Sequence, residues 1–173
     1  MPETPLPKPA PGGVTGKVLL VDDNPTNLQV LVQTLTGQGY KLLVARNGED
    51  ALAIAKKTRP GLVLLDIMMP GIDGYEVCHR LKAEPDTRDA AVIFLSALGE
   101  TRDKVRGLEL GAVDYIGKPF QAEEVVARVN THLTIRRLQL ELQAANRRMK
   151  HDLDAAARVQ QAQLPKRAPA TER

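Results

Sequence analysis

The stretch GLVLLDIMMPGIDG, residues 61–74, decides the fold. Leu62 to Leu65 is an unbroken apolar run too short for a helix and without polar alternation, as expected of a strand buried on both faces of a parallel sheet. A carboxylate, Asp66, closes it, and the turn residues of MMPGIDG follow. Working outward, KVLLVDDNPTN at residues 17–27 repeats the design, with Val18 to Val21 closed by Asp22 and Asp23. Leu42 to Ala45, Val92 to Leu95 and Val113 to Ile116 read as three further strands.

Helical patterns separate these runs. Asn24 followed by Pro25 is a start signal, because Asn caps orphan amides and Pro has a preset φ and no N–H to satisfy. Leu28, Leu31, Val32 and Leu35 then share one face. Comparable segments cover residues 49–57, 74–82 and 102–110, and a last one begins at Gln121. Five strands each followed by a helix predict a doubly wound α/β fold with right-handed crossovers. The expected sheet is five-stranded and parallel, flavodoxin-like in its order 2-1-3-4-5, with an extended C-terminal helix. Ligands in such sheets sit beyond the carboxyl ends of the strands at the switch point, here between strands 1 and 3. Those strands end in Asp22, Asp23 and Asp66.

Of the 173 residues, 43% are hydrophobic but only 3% aromatic, so the core must be aliphatic. The lone cysteine, Cys78, rules out an internal disulfide and fits a reducing cytoplasm. Neither a signal-peptide pattern nor a membrane-length apolar run occurs, so a soluble cytoplasmic chain without a membrane partner is expected. The net charge of +3 is uneven: from Gln121 onward ten Lys and Arg face six Asp and Glu, giving +4, and the rest carries −1. Arg136, Arg137, Arg147, Arg148 and Lys150 alternate with acids and lack stacking aromatics, so a solvated helix face is expected rather than direct nucleic-acid contact. The expected organisation is a disordered Pro-rich leader at 1–16, a globular domain at 17–131, a helical coiled-coil linker at 132–164 and a disordered tail at 165–173.

The acids suggest chemistry. Mg2+ prefers oxygen ligands and keeps several waters, so Asp23 and Asp66 with a substrate phosphate suffice to hold it. Three crowded carboxylates repel one another unless a cation sits among them. Capping of the helix at Pro25 is the plainer use of Asp22 and Asp23, but it leaves Asp66 unexplained. Asp66 is ionised at neutral pH and can attack phosphorus without a general base. Lys118, expected on the loop after the fifth strand, offers a point charge to phosphoryl oxygens and Ser96 a hydroxyl. His79, His132 and His151 are too scattered to ligate one metal, and Cys78 and His79 do not face each other on a helix. They read as structural or surface residues.

VLLVDDN, LVLLDIMMPGIDGYEV, VIFLSAL and GAVDYIGKPF, spanning Lys17 to about Thr131, together resemble the receiver domain of two-component response regulators. The resemblance implies that Asp66 accepts a phosphoryl group from a histidine kinase or phosphotransfer protein. It implies Mg2+ between Asp22, Asp23, Asp66 and the backbone carbonyl of Met68, a switch pair of Ser96 and Tyr115, and a cis peptide between Lys118 and Pro119. Val113 departs from the pattern, standing where many members carry an acid. The rival readings are a small phosphohydrolase using Asp66 as nucleophile, although Met68 stands where its general acid would be, and an adaptor acting by binding alone.

Beyond the fifth helix start, the chain continues without Gly or Pro as far as Gln163. Leu138, Leu142, Ala145 and Met149 recur at coiled-coil spacing, and Leu153, Ala156 and Gln160 resume it after a four-residue slip. A parallel homodimer is expected, the plainer alternative being a solvated helix whose partner is an output domain. The stretch DLDAAARVQQAQLP, residues 152–165, resembles the segment leading into PPM-type serine/threonine phosphatases. That likeness implies that the chain is a fragment of a longer regulator, not itself an enzyme.

Overall fold

The computed structural model describes residues 16–97 and 101–163, with side chains at 16–97 and 104–160. The leader up to residue 15, the tail from residue 164 onward and Leu98 of the VIFLSAL stretch lie outside them. The elements alternate as β1 (Lys17–Val21), α1 (Pro25–Leu35), β2 (Lys41–Ala45), α2 (Gly48–Thr58) and β3 (Leu62–Asp66). They continue as α3 (Gly74–Ala83), β4 (Ala91–Ala97), α4 (Thr101–Glu109), β5 (Asp114–Lys118) and α5 (Ala122–Gln163). Every strand pairs in parallel in the order β2-β1-β3-β4-β5, as expected.

Burial follows strand position. All of β3 is buried, whereas the edge strands β2 and β5 are only partly covered. The period of two sorts the strand residues between two cores. Val18, Leu20, Leu62, Leu64, Ile93, Leu95 and Ile116 pack on α1 and α5, while Leu19, Val21, Val63, Leu65, Val92 and Phe94 pack on α2 and α3. Both faces are therefore dry, which is why β1, β3 and β4 read as continuous apolar runs.

Several boundaries differ from the sequence reading by a residue or two, those of β5 at both ends. β5 begins at Asp114, because Val113 is apolar yet 43% exposed and precedes the ladder. Lys118 is the last residue of β5, paired with Ala97, rather than part of the loop beyond. Asn24 caps α1 by accepting from the Thr26 amide at 2.8 Å, and Gln121 opens α5 by accepting from the Val125 amide. Compactness divides the chain at Arg136/Arg137. Within the first unit, α5 packs Val125, Val126, Val129 and Leu133 into the core. The second unit is helical from Arg137 to Gln163, with Leu138, Leu142, Met149 and Leu153 each more than half exposed.

Candidate functional site

The three aspartates converge as the strand order requires. One carboxylate oxygen from each of Asp22, Asp23 and Asp66 lies within 4.8 Å of the others. Asp22 and Asp66 are buried and Asp23 is half-buried, in a cleft of about 460 Å3 that also takes in Asn24, Asn27, Met68, Ser96 and Lys118. Asp22 is held by its neighbours: Oδ1 accepts from the Asn24 amide at 2.9 Å and Oδ2 from Asn27 Nδ2 at 3.1 Å. It thus ties down the turn into α1, but the helix cap belongs to Asn24, so capping does not account for the pair.

Asp66 is placed by a close approach of backbones. The Gly74 amide donates to the Ile67 carbonyl at 2.8 Å, and a Cβ at Gly74 would overlap the Asp66 carbonyl oxygen and stand 2.8 Å from the Ile67 Cα. Only glycine lets α3 begin there. Lys118 reaches over from β5, its Nζ 2.9 Å from Asp66 Oδ1 and 3.4 Å from Asp22 Oδ2. The peptide joining Lys118 to Pro119 is cis. Ser96 is half-buried at the lip of the cleft, while the Met68 side chain is 80% exposed.

Burial is the largest influence on Asp66, pushing its carboxyl from 3.8 up to about 6 against the hydrogen bond from Lys118, with the Asp22 and Asp23 charges adding to the rise. Burial would likewise depress the Lys118 ammonium, but its hydrogen bond to Asp66 and the charges of Asp66 and Asp22 outweigh this and raise it. The two directions are compatible because three acids share one ammonium. Such a crowded, oxygen-only, under-neutralised set of carboxylates fits a hard divalent cation, whose charge would draw the Asp66 carboxyl back toward its ordinary range.

Sequence reasoning missed several partners. Asn27 sits just inside α1, where nothing marks it as facing Asp22. Asp114, at the start of β5, accepts from Arg128 Nη1 at 2.6 Å and lies 2.9 Å from His132 Nε2, both on α5. Burial would raise Asp114, but His132, the Tyr115 amide and Arg128 together lower it. His132 is therefore a structural residue that fastens α5 to the sheet edge. Tyr115 is buried beside Phe94, with ring centroids 5.5 Å apart.

These features define a doubly wound α/β domain with an acidic crevice at its switch point. Residues 18–130 match the family described as the response regulator receiver domain, and the chain belongs to that family. Among similar proteins, "Probable transcriptional regulator ycf27" of Porphyra purpurea is 47% identical over 117 residues, covering 68% of this chain and 47% of that protein. "Response regulator PleD" of Caulobacter vibrioides is 38% identical over 149 residues, 84% of this chain and 33% of PleD. The chain thus spans half or less of these relatives. The receiver domain of a signal transduction histidine kinase from Syntrophus aciditrophicus superposes with a TM-score of 0.63 at 40% identity, covering 69% of this chain and 90% of that one. Among the described residues no helix is long and apolar enough to cross a membrane.

Proposed function

We propose that this chain is a phosphorylation-controlled signalling module in which Asp66 takes a phosphoryl group from a histidine kinase or phosphotransfer protein. The observation that carries the reading is Asp66 itself, buried between two further acids and Lys118, with its carboxyl pushed up to about 6. Asp22, Asp23, Asp66 and the Met68 carbonyl would hold Mg2+, which supplies charge neutralisation to the incoming phosphoryl oxygens. Lys118 and Ser96 receive the remaining oxygens. The Asp66 carboxylate forms the new O–P bond as the donor's bond to phosphorus breaks, and the donor leaves with the electron pair.

Ser96 and Tyr115 form the switch pair. Added charge at Asp66 biases an equilibrium between arrangements through its differential contact with each. α5 carries the state onward through a parallel two-stranded coiled coil with Leu138, Leu142, Ala145, Met149, Leu153 and Ala156 in its seam. Exposure of the four large residues among them supports a homodimer. The output is a domain outside this chain, of the PPM phosphatase type on the strength of residues 152–165. Contact with kinase and partner copy, in the cytoplasm, accounts for the chain without direct nucleic-acid binding.

Intact-protein mass spectrometry after exposure to a small acyl phosphate tests the proposal. One phosphoryl group should appear with Mg2+ and be lost with a chelator. Labelling that is indifferent to the cation contradicts it.

A further inference from the structure

Three of the chain's five Phe and Tyr residues stand in one row. Tyr75 on α3 meets Phe94 on β4 at 5.4 Å between ring centroids, and Phe94 meets Tyr115 on β5 at 5.5 Å. Beyond Tyr75, the Arg106 guanidinium of α4 lies 4.4 Å over the ring, a cation–π contact. Phe94 is fully buried, and Tyr75 and Tyr115 are buried but for 6% and 9% of their surface. Tyr115 borders a cleft of about 400 Å3 shared with Ser96, Lys104 and Lys118. Tyr75 borders another, of about 490 Å3, walled by Asp73, Glu76, His79 and Arg106.

One position makes the row possible. Gly107 lies inside α4, where alanine would favour the helix more. A Cβ there would overlap the Tyr115 hydroxyl oxygen and stand 2.8 Å from two Phe94 ring carbons. Phe94 is enclosed on all sides, whereas Tyr115 borders a cleft roomy enough to take its ring. We infer that Gly107 is the positioning residue that admits Tyr115 to its buried place. The row then carries the position of Tyr115 through Phe94 to Tyr75 and Arg106, so that the wall of the α3–α4 cleft responds to the state of the Asp66 site. Only that last step rests on the phosphoryl-acceptor reading. The physical basis is that a close-packed interior repacks between discrete arrangements: if Tyr115 leaves, Phe94 loses one flank and must tilt, and Tyr75 follows.

The chain has three tyrosines, which makes the test direct. Tyr40 packs on the opposite core and donates to Asn130 Oδ1 at 2.8 Å, so it serves as the control. In the full chain carrying fluorotyrosine, Gly107→Ala should move the Tyr115 fluorine signal to a solvent-exposed position, shift that of Tyr75 and leave Tyr40 unchanged. Adding Phe94→Leu should keep the Tyr115 shift and abolish that of Tyr75. A shielded Tyr115 in Gly107→Ala, or a Tyr75 that ignores it, overturns the inference. If Gly107→Ala does not fold, Tyr115→Ala alone decides: Tyr75 must move, and an unmoved signal overturns the row.

Denaturation separates positioning from mere tightness. Gly107→Ala should destabilise the parent but be neutral or stabilising beside Tyr115→Ala, whereas equal loss in both backgrounds assigns Gly107 to Phe94 and refutes its positioning of Tyr115. None of these measurements needs a phosphoryl group. With beryllium trifluoride and Mg2+ added, Tyr115 and Tyr75 should both respond. Response at Tyr115 alone overturns the coupling to the α3–α4 cleft, and silence at both overturns the phosphoryl reading while the positioning role of Gly107 stands on its own result.

Discussion

Replacing Asp66 by asparagine should stabilise this chain in buffer stripped of divalent cations, although it removes the negative charge that pairs with Lys118. The carboxyl has been pushed from 3.8 up to about 6, chiefly by burial, and that figure already includes the help of Lys118 2.9 Å away. Because the native carboxyl holds its proton to higher pH than the unfolded one, its contribution is complete below pH 3.8 and is lost as pH rises through about 6. At ~1.36 kcal/mol per pKa unit, the ionised group costs at most about 3 kcal/mol at neutral pH. Asparagine resembles the protonated acid in shape and stays neutral. Urea denaturation followed by circular dichroism should find little difference between parent and Asp66→Asn at about pH 4, and an advantage for the variant of up to ~3 kcal/mol at about pH 7.5. Mg2+ should narrow that gap by binding the native parent more tightly than the variant. A variant no more stable than the parent at the higher pH, or a gap indifferent to Mg2+, refutes the reasoning.

Asp23→Ala should fold normally yet weaken Mg2+ binding at least tenfold, about 1.4 kcal/mol, in a calorimetric titration. Gly74→Ala sets a Cβ against backbone atoms of Asp66 and Ile67 that cannot swing aside, so a loss of ~3 kcal/mol or more is expected on denaturation. Asp114→Asn should cost about 1–2 kcal/mol at neutral pH, read by denaturation, by loosening Arg128 and His132. As the native Asp114 carboxyl is depressed, that cost should fade as pH falls through its native pKa. Leu138→Asp with Leu142→Asp should convert a sedimenting dimer to monomer, and a parent already monomeric at high concentration contradicts the seam.

How far the sequence disclosed this molecule depends on whether a feature is local. β1 and β3 were legible because strands buried on both faces are apolar throughout, and the aspartates because they close such runs. The start of β5 was misjudged because Val113 is apolar but carries its side chain outside the core. Lys118 was placed in a loop because Pro119 hides the end of the ladder. The Asp114 cluster unites β5 with two residues one helical turn apart on α5, Arg128 and His132, and nothing in the local pattern names an acid on another element as their partner. The aromatic row was illegible for a stronger reason. Tyr75, Phe94 and Tyr115 meet only through tertiary packing, and the residue that makes room for them, Gly107, carries no side chain to attract notice.

The central claim, that Asp66 is the phosphoryl acceptor, is tested most directly by peptide mapping of the labelled chain. After reaction with acyl phosphate and Mg2+, followed by borohydride reduction of the acyl phosphate, the modification should map to Asp66 and be absent from Asp66→Asn. Label on any other residue, or equal label in the variant, contradicts the account.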